Sequence, residues 1–469
     1  MPKSRTAAIV LAAGKGTRMK SRKPKVMHEI ANRPMIGHVM AALKPLHCDP
    51  VVLVVAPGME DVAEAAVSAQ IAVQREQLGT GHAVMAARAA LKSVSGDLLV
   101  LYGDTPFIAT ATLEAMLKRR RGTDDPAVVV LGFRPDEPGG YGRLVLGASG
   151  GLDAIVEARD ATPEQRAIGL CNSGVMALDA ERMLPLLKEL RNDNAKGEYY
   201  LTDLVALARG RGWDCAVVEA SVAELMGINS RADLAAAEQV YQDRARAAAM
   251  EGGVTLLEPG SVFFSHDTRL GQDVVIGPHV YFGPGVTVEN EVEIKGFCHI
   301  EGARISAGAR IGPFARLRPG AAIGPDVHIG NFVEVKNARL GPGAKANHLT
   351  YIGDAEIGGG TNIGAGTITV NYDGFCKSRT VIGPNVSIGS NSSLVAPVTI
   401  GAGAIVGAGS VITENVPADA MAIARGRQVN MTGRAQTFRA KRKKTKTTTK
   451  AKPAKKAGAR SGAKRKSGK

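Results

Sequence analysis

Polar residues in three parts of this sequence have types and spacing that suit chemistry on phosphates or amines. The first part is the segment LAAGKGTRM (residues 11–19), which follows an apolar run and precedes Pro24 and Lys25. Small residues let backbone N–H groups approach a phosphate, and Lys15, Arg18 and Lys25 add positive charge. The spacing matches neither a P-loop nor a GxGxxG fingerprint. Since a glycine turn after a strand is common, it is the Pro-Lys pair that makes this segment specific.

The second part ends another apolar run with an acid, in YGDTP (residues 102–106). A carboxylate at the carboxyl end of a buried strand, here Asp104, can hold Mg²⁺ against phosphates. The structural alternative is an aspartate that caps a helix. Gln74 and the stretch QLGTGH (77–82) offer amide and backbone groups for reading a base edge, or they form a loop that leads into a helix.

The third part is GNFVEVK (330–336) with NHLTY (347–351), which contains His348. A lone histidine is usually structural or solvated. Here the surrounding repeat places His348 near Glu334, Lys336 and Tyr351 on a rigid wall. Imidazole titrates near neutral pH and can accept a proton from a reacting group, so His348 is a candidate general base.

The first two parts lie in a region, residues 1–229, that alternates apolar runs with helix-like segments. The runs AAIVLAA, PVVLVVA, DLLVLYGD and AVVVLGF are continuously apolar, as in strands covered on both faces. This pattern predicts an α/β domain with a mostly parallel, Rossmann-like sheet, whose ligand binds at the carboxyl ends of the strands. Ser230 and Asp233 then resemble a capping box, and the alanine-rich stretch to Gly252 predicts one linker helix over 230–250.

After Gly253, aliphatic residues recur every six positions, often followed by glycine. Neither a helix nor an amphipathic strand repeats at six, whereas a parallel β-helix of hexapeptide repeats does. The register breaks at 371–380, where Ile368 and Ile382 are fourteen residues apart, so NYDGFCKSRT is predicted to leave the coil as a loop with functional potential. The repeated positions are Ile305, Ile311, Leu317, Ile323, Ile329, Val335, Ile382, Ile388, Leu394, Ile400, Val406 and Ile412.

The 469-residue chain carries a formal net charge of +15, and this charge belongs to its C-terminus. Fifteen Lys or Arg and no acid lie in 439–469, which leaves 44 basic against 44 acidic residues before them. We expect residues 431–469 to be a disordered tail, either an anion-binding arm or an inert extension. No apolar run approaches twenty residues, so no membrane span or secretory signal is predicted. Five scattered cysteines favour a cytoplasmic protein without disulfides.

Taken together, these motifs resemble a known enzyme family. LAAGKGTRM, PKVMHEI, EQLGTGHA, YGDTP, GGYGR, IVE and CNSG occur in the order and spacing of sugar-nucleotide pyrophosphorylases. With the hexad region attached, residues 5–430 resemble the bacterial bifunctional N-acetylglucosamine-1-phosphate uridyltransferase/glucosamine-1-phosphate N-acetyltransferases. The resemblance implies a left-handed β-helix, a homotrimer, and synthesis of UDP-N-acetylglucosamine for peptidoglycan and lipopolysaccharide. It also implies a uridyltransferase domain at 1–229 and an acetyltransferase domain at 251–430.

The resemblance further implies roles for residues of the first domain. Asp104 and Asn229 would hold Mg²⁺; Gly142, Glu157 and Asn172 would contact N-acetylglucosamine; and Arg18 would help to neutralise the phosphates. The residues expected to line the UTP and uridine nucleotide pocket are Leu11, Ala12, Ala13, Gly14, Lys25, Gln74, Gly79, Thr80, Tyr102 and Gly103.

For the second domain, the resemblance makes His348 the general base of acetyl transfer, without an acyl-enzyme because no cysteine occupies a nucleophile's place. Residues expected to bind the sugar phosphate are Arg318, Lys336, Tyr351 and Asn362. Those expected along the acetyl-CoA and acceptor site are Ala365, Asn371, Tyr372, Ser390, Ala408 and Arg425.

Three alternatives compete with this interpretation. A nucleotidyltransferase whose β-helix serves only for assembly would not use acetyl-CoA. A zinc enzyme on a trimeric β-helix, such as a γ-type carbonic anhydrase, needs three histidines, and His279, His299, His328 and His348 lack the close paired spacing. A nucleic-acid-binding or scaffold protein would explain only the basic tail.

Overall fold

The apolar runs of the N-terminal region form the strands of a mixed sheet. The computed structural model describes residues 5–194 and 196–450. Strands of this region are β1 Thr6–Leu11, β2 Glu29–Ile30, β3 Arg33–Pro34, β4 Val51–Val55, β5 Gln70–Val73, β6 Asp97–Tyr102, β7 Val128–Phe133, β8 Arg143–Leu146, β9 Leu152–Val156, β10 Cys171–Asp179 and β11 Cys215–Glu219. Helices of this region are α1 Met35–Leu43, α2 Glu60–Ala65, α3 Thr80–Ala86, α4 Thr110–Arg120, α5 Pro163–Arg166, α6 Ala180–Met183 and α7 Asp203–Gly210.

The order of strands in this sheet is β11-β7-β10-β6-β1-β4-β5. All neighbours along this path are parallel except β10, which runs antiparallel to both β6 and β7. Separate apolar clusters cover the two faces of the sheet, which explains why β1, β4 and β6 are apolar at nearly every position. The predicted Rossmann-like, mostly parallel sheet is therefore confirmed. The carboxyl ends of β1, β4 and β6 meet at one edge, as parallel strands require.

A single helix, α8 (Arg231–Glu251), connects this region to the rest of the chain. Ser230 caps it, and the Asp233 carboxylate completes a capping box by accepting the Ser230 backbone N–H. The side chain of Gln242 is buried and bonds both backbone groups of Phe264, at 2.7 and 2.8 Å. The buried Arg246 donates to the Val262 carbonyl at 2.9 Å. These bonds fix α8 to the first turn of the domain that follows.

The hexad region winds into a triangular coil with three parallel sheets, the left-handed parallel β-helix that was predicted. The first sheet contains β12 Thr255–Leu256, β14 Val275–Ile276, β17 Glu293–Ile294, β20 Arg310–Ile311, β23 His328–Asn331, β26 Lys345–His348, β29 Asn362–Ile363, β32 Ser387–Ile388, β35 Ile405–Val406 and β37 Met421–Ala422. The second contains β13 Arg269–Leu270, β16 Thr287–Val288, β19 Ala303–Ile305, β22 Ala321–Ile323, β25 Arg339–Leu340, β28 Ala355–Ile357, β31 Thr380–Ile382 and β34 Val398–Ile400. The third contains β15 Tyr281–Phe282, β18 His299–Ile300, β21 Arg316–Leu317, β24 Glu334–Lys336, β27 Tyr351–Gly353, β30 Ile368–Val370, β33 Ser393–Val395 and β36 Val411–Ile412.

All twelve aliphatic residues of the predicted hexad pattern are buried in one core along the coil. On the turn before the loop, the residue that points into the core is not Ile368, as the aliphatic pattern predicted, but Thr369. Thr369 is buried, whereas Ile368 is 45% exposed. The predicted loop is present between β30 and β31, and an antiparallel bridge between Tyr372 and Lys377 closes its base. The coil therefore keeps its register on both sides of the loop.

Residues up to Ala422 form one compact unit, and Ile423 begins a second. The prediction of a disordered tail from residue 431 is wrong over part of its length, because Arg434–Lys450 form helix α9. Thirteen of its residues, 434–446, are exposed. The predicted disorder of 451–469 lies outside the described residues. Within the described ranges, no helix is both long enough and apolar enough to cross a membrane.

Candidate active sites

A cleft of about 410 Å³ opens at the edge of the first sheet where β1, β4 and β6 end. The LAAGKG turn continues from β1, and its Ala12 N–H donates to the Val54 carbonyl of β4 at 2.8 Å. The residues that line the cleft are Leu11, Ala12, Ala13, Gly14, Lys15, Lys25, Val26, Gln74, Gln77, Gly79, Thr80, Ala83, Tyr102, Asp104 and Glu198.

The charged groups of this cleft converge on the Lys25 ammonium. It forms an ion pair with the Asp104 carboxylate and donates to the Asn229 amide oxygen at 3.2 Å. Asp104 follows β6, whereas Asn229 immediately precedes the N-cap of α8, so the two oxygen groups come from segments 125 residues apart. One oxygen atom from each of two distant segments therefore contacts the same ammonium group.

The wall around Gly79 and Thr80 is held by close backbone packing. Gly79 has φ +102°, and a Cβ there would lie 2.7 Å from the Tyr199 carbonyl oxygen, so a side chain cannot be accommodated. The Gln74 side-chain amide donates to the Gly79 carbonyl at 3.1 Å. Thr80 Oγ1 accepts the Leu201 N–H at 3.1 Å. Gln74 is only 4% exposed, so the packing fixes the direction of its amide.

Tyr102 connects this cleft to the second set of predicted ligands. A Cβ on Gly174, which has φ +88°, would lie 2.6 Å from the Tyr102 ring, so only glycine lets the ring sit there. Burial raises the pKa of Tyr102, and the charges of Asp104 and Glu157 add to the effect. Burial also raises the pKa of Glu157. The charges of both carboxylates therefore act on the Tyr102 hydroxyl.

Gly142 and Asn172 lie together, because the Asn172 N–H donates to the Gly142 carbonyl at 2.8 Å. Glu157 accepts a weak hydrogen bond from the Thr202 hydroxyl at 3.5 Å.

Arg18 is exposed, and its charge acts on Asp233 beside Asn229. Gly103 binds the end of β1 through its N–H, 3.0 Å from the Leu11 carbonyl oxygen.

Ten of the predicted residues line the cleft: Leu11, Ala12, Ala13, Gly14, Lys25, Gln74, Gly79, Thr80, Tyr102 and Asp104. The others lie around it, and their binding roles stay predictions. Glu198 was missed because no motif surrounds it. It reaches the cleft since Gly81 donates to the Tyr199 carbonyl at 2.8 Å and draws this segment against α3.

The second site is on the β-helix, where His348 ends β26. Its Nδ1 lies 2.8 Å from the amide oxygen of Asn331, which occupies the same register position one turn earlier. Because a carbonyl oxygen only accepts, this contact places the proton on Nδ1 and leaves the lone pair on Nε2. The side chain is exposed, so Nε2 can meet a substrate. Sequence reasoning missed Asn331, although its position seventeen residues before His348 is one turn of the coil.

The coil turns a corner at Leu349, and a cluster of cationic side chains lies beyond this corner on the third sheet. The side chain of Lys377, from the loop, lies beside Lys336, and this contact and the Lys377 charge lower the pKa of Lys336, with a smaller contribution from Arg318. Arg318 donates to Glu334 at 2.8 Å. The Tyr351 hydroxyl lies 3.5 Å from the Asn371 amide nitrogen. The structure thus gathers Arg318, Lys336, Tyr351 and Asn371, and it adds Lys377, which was not predicted.

The predicted acetyl-CoA residues follow the edge of the coil that begins at His348. Gly366 donates to the His348 carbonyl at 3.3 Å, Asn391 to Ala365 at 2.7 Å, and Gly409 to Ser390 at 2.8 Å. On the next turn, Ala408 follows Gly407 at the same edge. Tyr372 is exposed in the loop, and its hydroxyl donates to the Gly374 carbonyl at 2.6 Å.

One predicted residue, Asn362, lies on a different sheet from Arg318, Lys336 and Tyr351. Asn362 is on the first sheet, paired with Lys345 and Ser387. In the described part of the chain, no hydrogen bond joins Asn362 to Arg318, Lys336 or Tyr351. Arg425 belongs to the second compact unit, and its role at the acetyl-CoA site stays a prediction.

Comparison with known proteins agrees with both halves of the chain. The model of the MobA-like NTP transferase domain matches residues 8–194, and that of the bacterial transferase hexapeptide matches residues 302–337 and 379–414. "Bifunctional protein GlmU" of Paramagnetospirillum magneticum is 59% identical over 440 residues, 94% of this chain and 98% of the relative. The protein of that name from Rhizorhabdus wittichii is 61% identical over 435 residues, 92% of this chain and 96% of the relative.

Among solved structures, the inositol-1-phosphate CTP transferase of T. maritima is 18% identical and aligns with a TM-score of 0.41, over 51% of this chain and 96% of that one. The fold and the two sites define a transferase in which a nucleotidyltransferase domain precedes a hexapeptide-repeat acyltransferase domain. Since close relatives match it over more than nine-tenths of its length, the chain belongs to the family of the bifunctional protein GlmU.

Proposed function

We propose that the two sites catalyse consecutive steps of UDP-N-acetylglucosamine synthesis, with the residue roles given below. The β-helix site transfers an acetyl group from acetyl-CoA to glucosamine-1-phosphate. The cleft of the first domain transfers a uridyl group from UTP to N-acetylglucosamine-1-phosphate and releases pyrophosphate. The observation that carries this proposal is one chain with two separate sites: the Lys25, Asp104 and Asn229 set in a nucleotidyltransferase cleft, and His348 with its oriented imidazole on a hexapeptide coil.

In acetyl transfer, the substrate amine attacks the thioester carbonyl carbon, the C–S bond breaks, and the coenzyme thiolate leaves. His348 Nε2 takes the proton that the attacking nitrogen loses, and Asn331 holds the imidazole in the required tautomer. Arg318, Lys336 and Lys377 provide a cationic surface for the phosphate of the sugar. Since the thioester meets the amine directly, no acyl-enzyme is needed.

Small residues along the coil edge suit the extended arm of coenzyme A. Ala365, Ser390 and Ala408 follow His348 on consecutive turns of the coil. On the turns after Leu349, the residues at positive φ along this edge are Gly366, Asn391 and Gly409, whereas on earlier turns they are Phe297, Phe314 and Phe332. A flexible apolar ligand can therefore lie against the backbone there.

In uridyl transfer, the sugar phosphate oxygen is already ionised, so the reaction needs no general base. It attacks the α-phosphorus of UTP in line, and pyrophosphate leaves from the opposite side. The protein must align the two substrates and neutralise charge. Lys25 and Arg18 supply positive charge, and the LAAG turn supplies backbone N–H groups. Gln74 and Gly79 bind the base, while Gly142, Glu157 and Asn172 bind the sugar.

We propose that Mg²⁺ serves this domain, held by Asp104 and Asn229. The fit is supported by the Lys25 ammonium, which already lies between these two oxygen donors. In the described residues, no group of three or more His, Cys, Asp or Glu could hold a metal. A site with one carboxylate and one amide suits an ion that takes its other ligands from phosphates and water. When bound, the metal neutralises charge on the phosphates.

We also propose a homotrimer formed through the β-helix, which the coil edge before His348 supports. His279, Phe297, Phe314 and Phe332 stack along it with ring centroids 4.8, 4.9 and 5.2 Å apart. The three phenylalanines are 45–55% exposed, and Leu349, which continues the ridge, is 62% exposed. A continuous apolar ridge of this kind fits an interface between copies.

We also propose that the protein is located in the cytoplasm. All five cysteines are free, which supports this location.

One assay tests the proposal. The protein is incubated with glucosamine-1-phosphate, acetyl-CoA and UTP, and UDP-N-acetylglucosamine is measured by chromatography. A fragment that ends at Met250 keeps both apolar clusters of the first domain. It should form the product only from pre-acetylated sugar phosphate. A fragment that still acetylates glucosamine-1-phosphate would contradict the assignment of the two sites.

A further inference from the structure

The C-terminal helix α9 carries positive charge that neither proposed reaction uses. It lies beyond the segments matched by the two domain models, which end at residue 414. Seven Lys or Arg residues occur between Arg434 and Lys446, and all seven side chains are exposed. The sequence has no Asp or Glu after Asp419.

These cations surround the helix instead of forming one stripe. Successive residues of an α-helix are offset by about 100°, and with that spacing the seven positions leave no arc wider than about 100° without a cation. The one large apolar side chain, Phe438, has the Arg442 guanidinium over its ring at 5.5 Å. The helix therefore has no apolar face to bury against protein or lipid.

We propose that α9 and the basic residues after it bind nucleic acid. They would contact the phosphates of the nucleic acid and would not distinguish one base sequence from another. A helix with cations all round fits a groove that has phosphates on both sides, and the major groove of a duplex is about 12 Å wide, enough to admit an α-helix. An anionic membrane offers charge on one side only, and helices that lie on membranes need an apolar face, which α9 lacks. The Thr437 and Thr445 hydroxyls donate to the Gly433 and Lys441 carbonyls at 3.2 and 3.0 Å, so the phosphate contacts fall to the Lys and Arg side chains.

The spacing of positive charges along α9 is comparable with the spacing of phosphate charges along a nucleic-acid duplex. Residues 434–446 span about 20 Å, which places one cation every 3 Å or so along the axis. A duplex carries one charge per about 1.7 Å. Within the helix, Arg439 and Lys443 are four residues apart, as are Arg442 and Lys446, and like charges at this spacing destabilise a helix. A polyanion would remove that repulsion, so binding should also stabilise α9.

The test measures binding of the full chain to a fluorescent 20-bp DNA duplex by anisotropy, at salt concentrations from 50 to 200 mM. If at least seven phosphates are neutralised, log K should fall with log salt at a slope of about −6 or steeper, a loss of roughly 10³-fold or more over this range. The tail variant K441Q/R442Q/K443Q/K444Q/K446Q should reduce the slope by about 4. Deletion of 441–469 should abolish binding, and both variants should keep both enzymatic activities.

A matched control removes five exposed lysines from the folded domains, in the variant K44Q/K92Q/K118Q/K188Q/K295Q. It has the same net charge as the tail variant and should bind the duplex like the unmodified protein. Equal loss in both variants would overturn the proposal, as would binding that survives the deletion. Tighter binding to phosphatidylcholine vesicles with 30% phosphatidylserine than to the duplex would assign the helix to membranes instead. Amide hydrogen exchange of residues 434–446 should slow when the duplex is added.

Discussion

Replacement of His348 by alanine should separate the two activities. The imidazole is exposed, and Asn331 fixes its Nδ1–H, so its loss removes the base and leaves the coil intact. A positioned general base contributes about 10²–10⁴-fold, which corresponds to about 3–5 kcal/mol of activation free energy. Acetyl transfer should fall by that factor, and uridyl transfer from pre-formed N-acetylglucosamine-1-phosphate should not change.

Asn331→Ala provides the quantitative part of this prediction. It removes one hydrogen bond to the imidazole, worth about 0.5–1.5 kcal/mol, so acetyl transfer should fall by only about 2- to 12-fold. Because Asn331 acts through His348, its replacement should cost nothing further in the His348→Ala background. A double-mutant cycle on the initial rate of coenzyme A release measures this coupling.

The pH dependence gives a second readout of the same base. Only neutral imidazole can accept the proton, so the wild-type rate should fall toward acid pH, and the His348→Ala enzyme should lack that decrease. Acetyl transfer at near wild-type rate in His348→Ala would refute the assignment. Glu334 would then be the next candidate, although its pairing with Arg318 at 2.8 Å opposes such a role.

Three other outcomes are expected. Asp104→Ala should reduce uridyl transfer by at least about 10²–10³-fold and leave acetyl transfer unchanged; equal loss of both activities would indicate misfolding. Burial raises the pKa of Glu157, so the folded state is penalised as pH rises through the ordinary range of a glutamate. Glu157→Gln should therefore raise Tm at pH 7.5 and raise it less at pH 4, while it weakens uridyl transfer; an equal shift at both pH values would contradict this reasoning. Iodoacetamide at pH 8 should modify the exposed Cys376 first in a mass-spectrometric time course, because burial raises the pKa of Cys298 to about 11 and that of Cys215 to about 12; early labelling of Cys215 would show that the core opens.

The sequence alone predicted features that depend on local pattern. The continuous apolar runs indicated buried parallel strands, since both faces of such a strand need apolar residues. The six-residue period indicated the β-helix, because each turn of the coil repeats the same environment, and all twelve predicted aliphatic positions are buried. The interruption at 371–380 predicted the loop for the same reason.

Other features depended on contacts between distant segments, which no local pattern records. The Asn331 partner of His348 depends on the exact stacking of turns, and Glu198 reaches the first cleft only because its segment packs against Gly79 and Gly81. Lys377 joins the cationic group through the closure of the loop. The helix at Arg434–Lys450 was missed because composition indicated that nothing could be buried there, and α9 indeed buries none of its residues 434–446. Composition therefore predicted correctly that this segment would be exposed. It did not predict the helix, because the helical conformation depends on backbone hydrogen bonds, which form without burial.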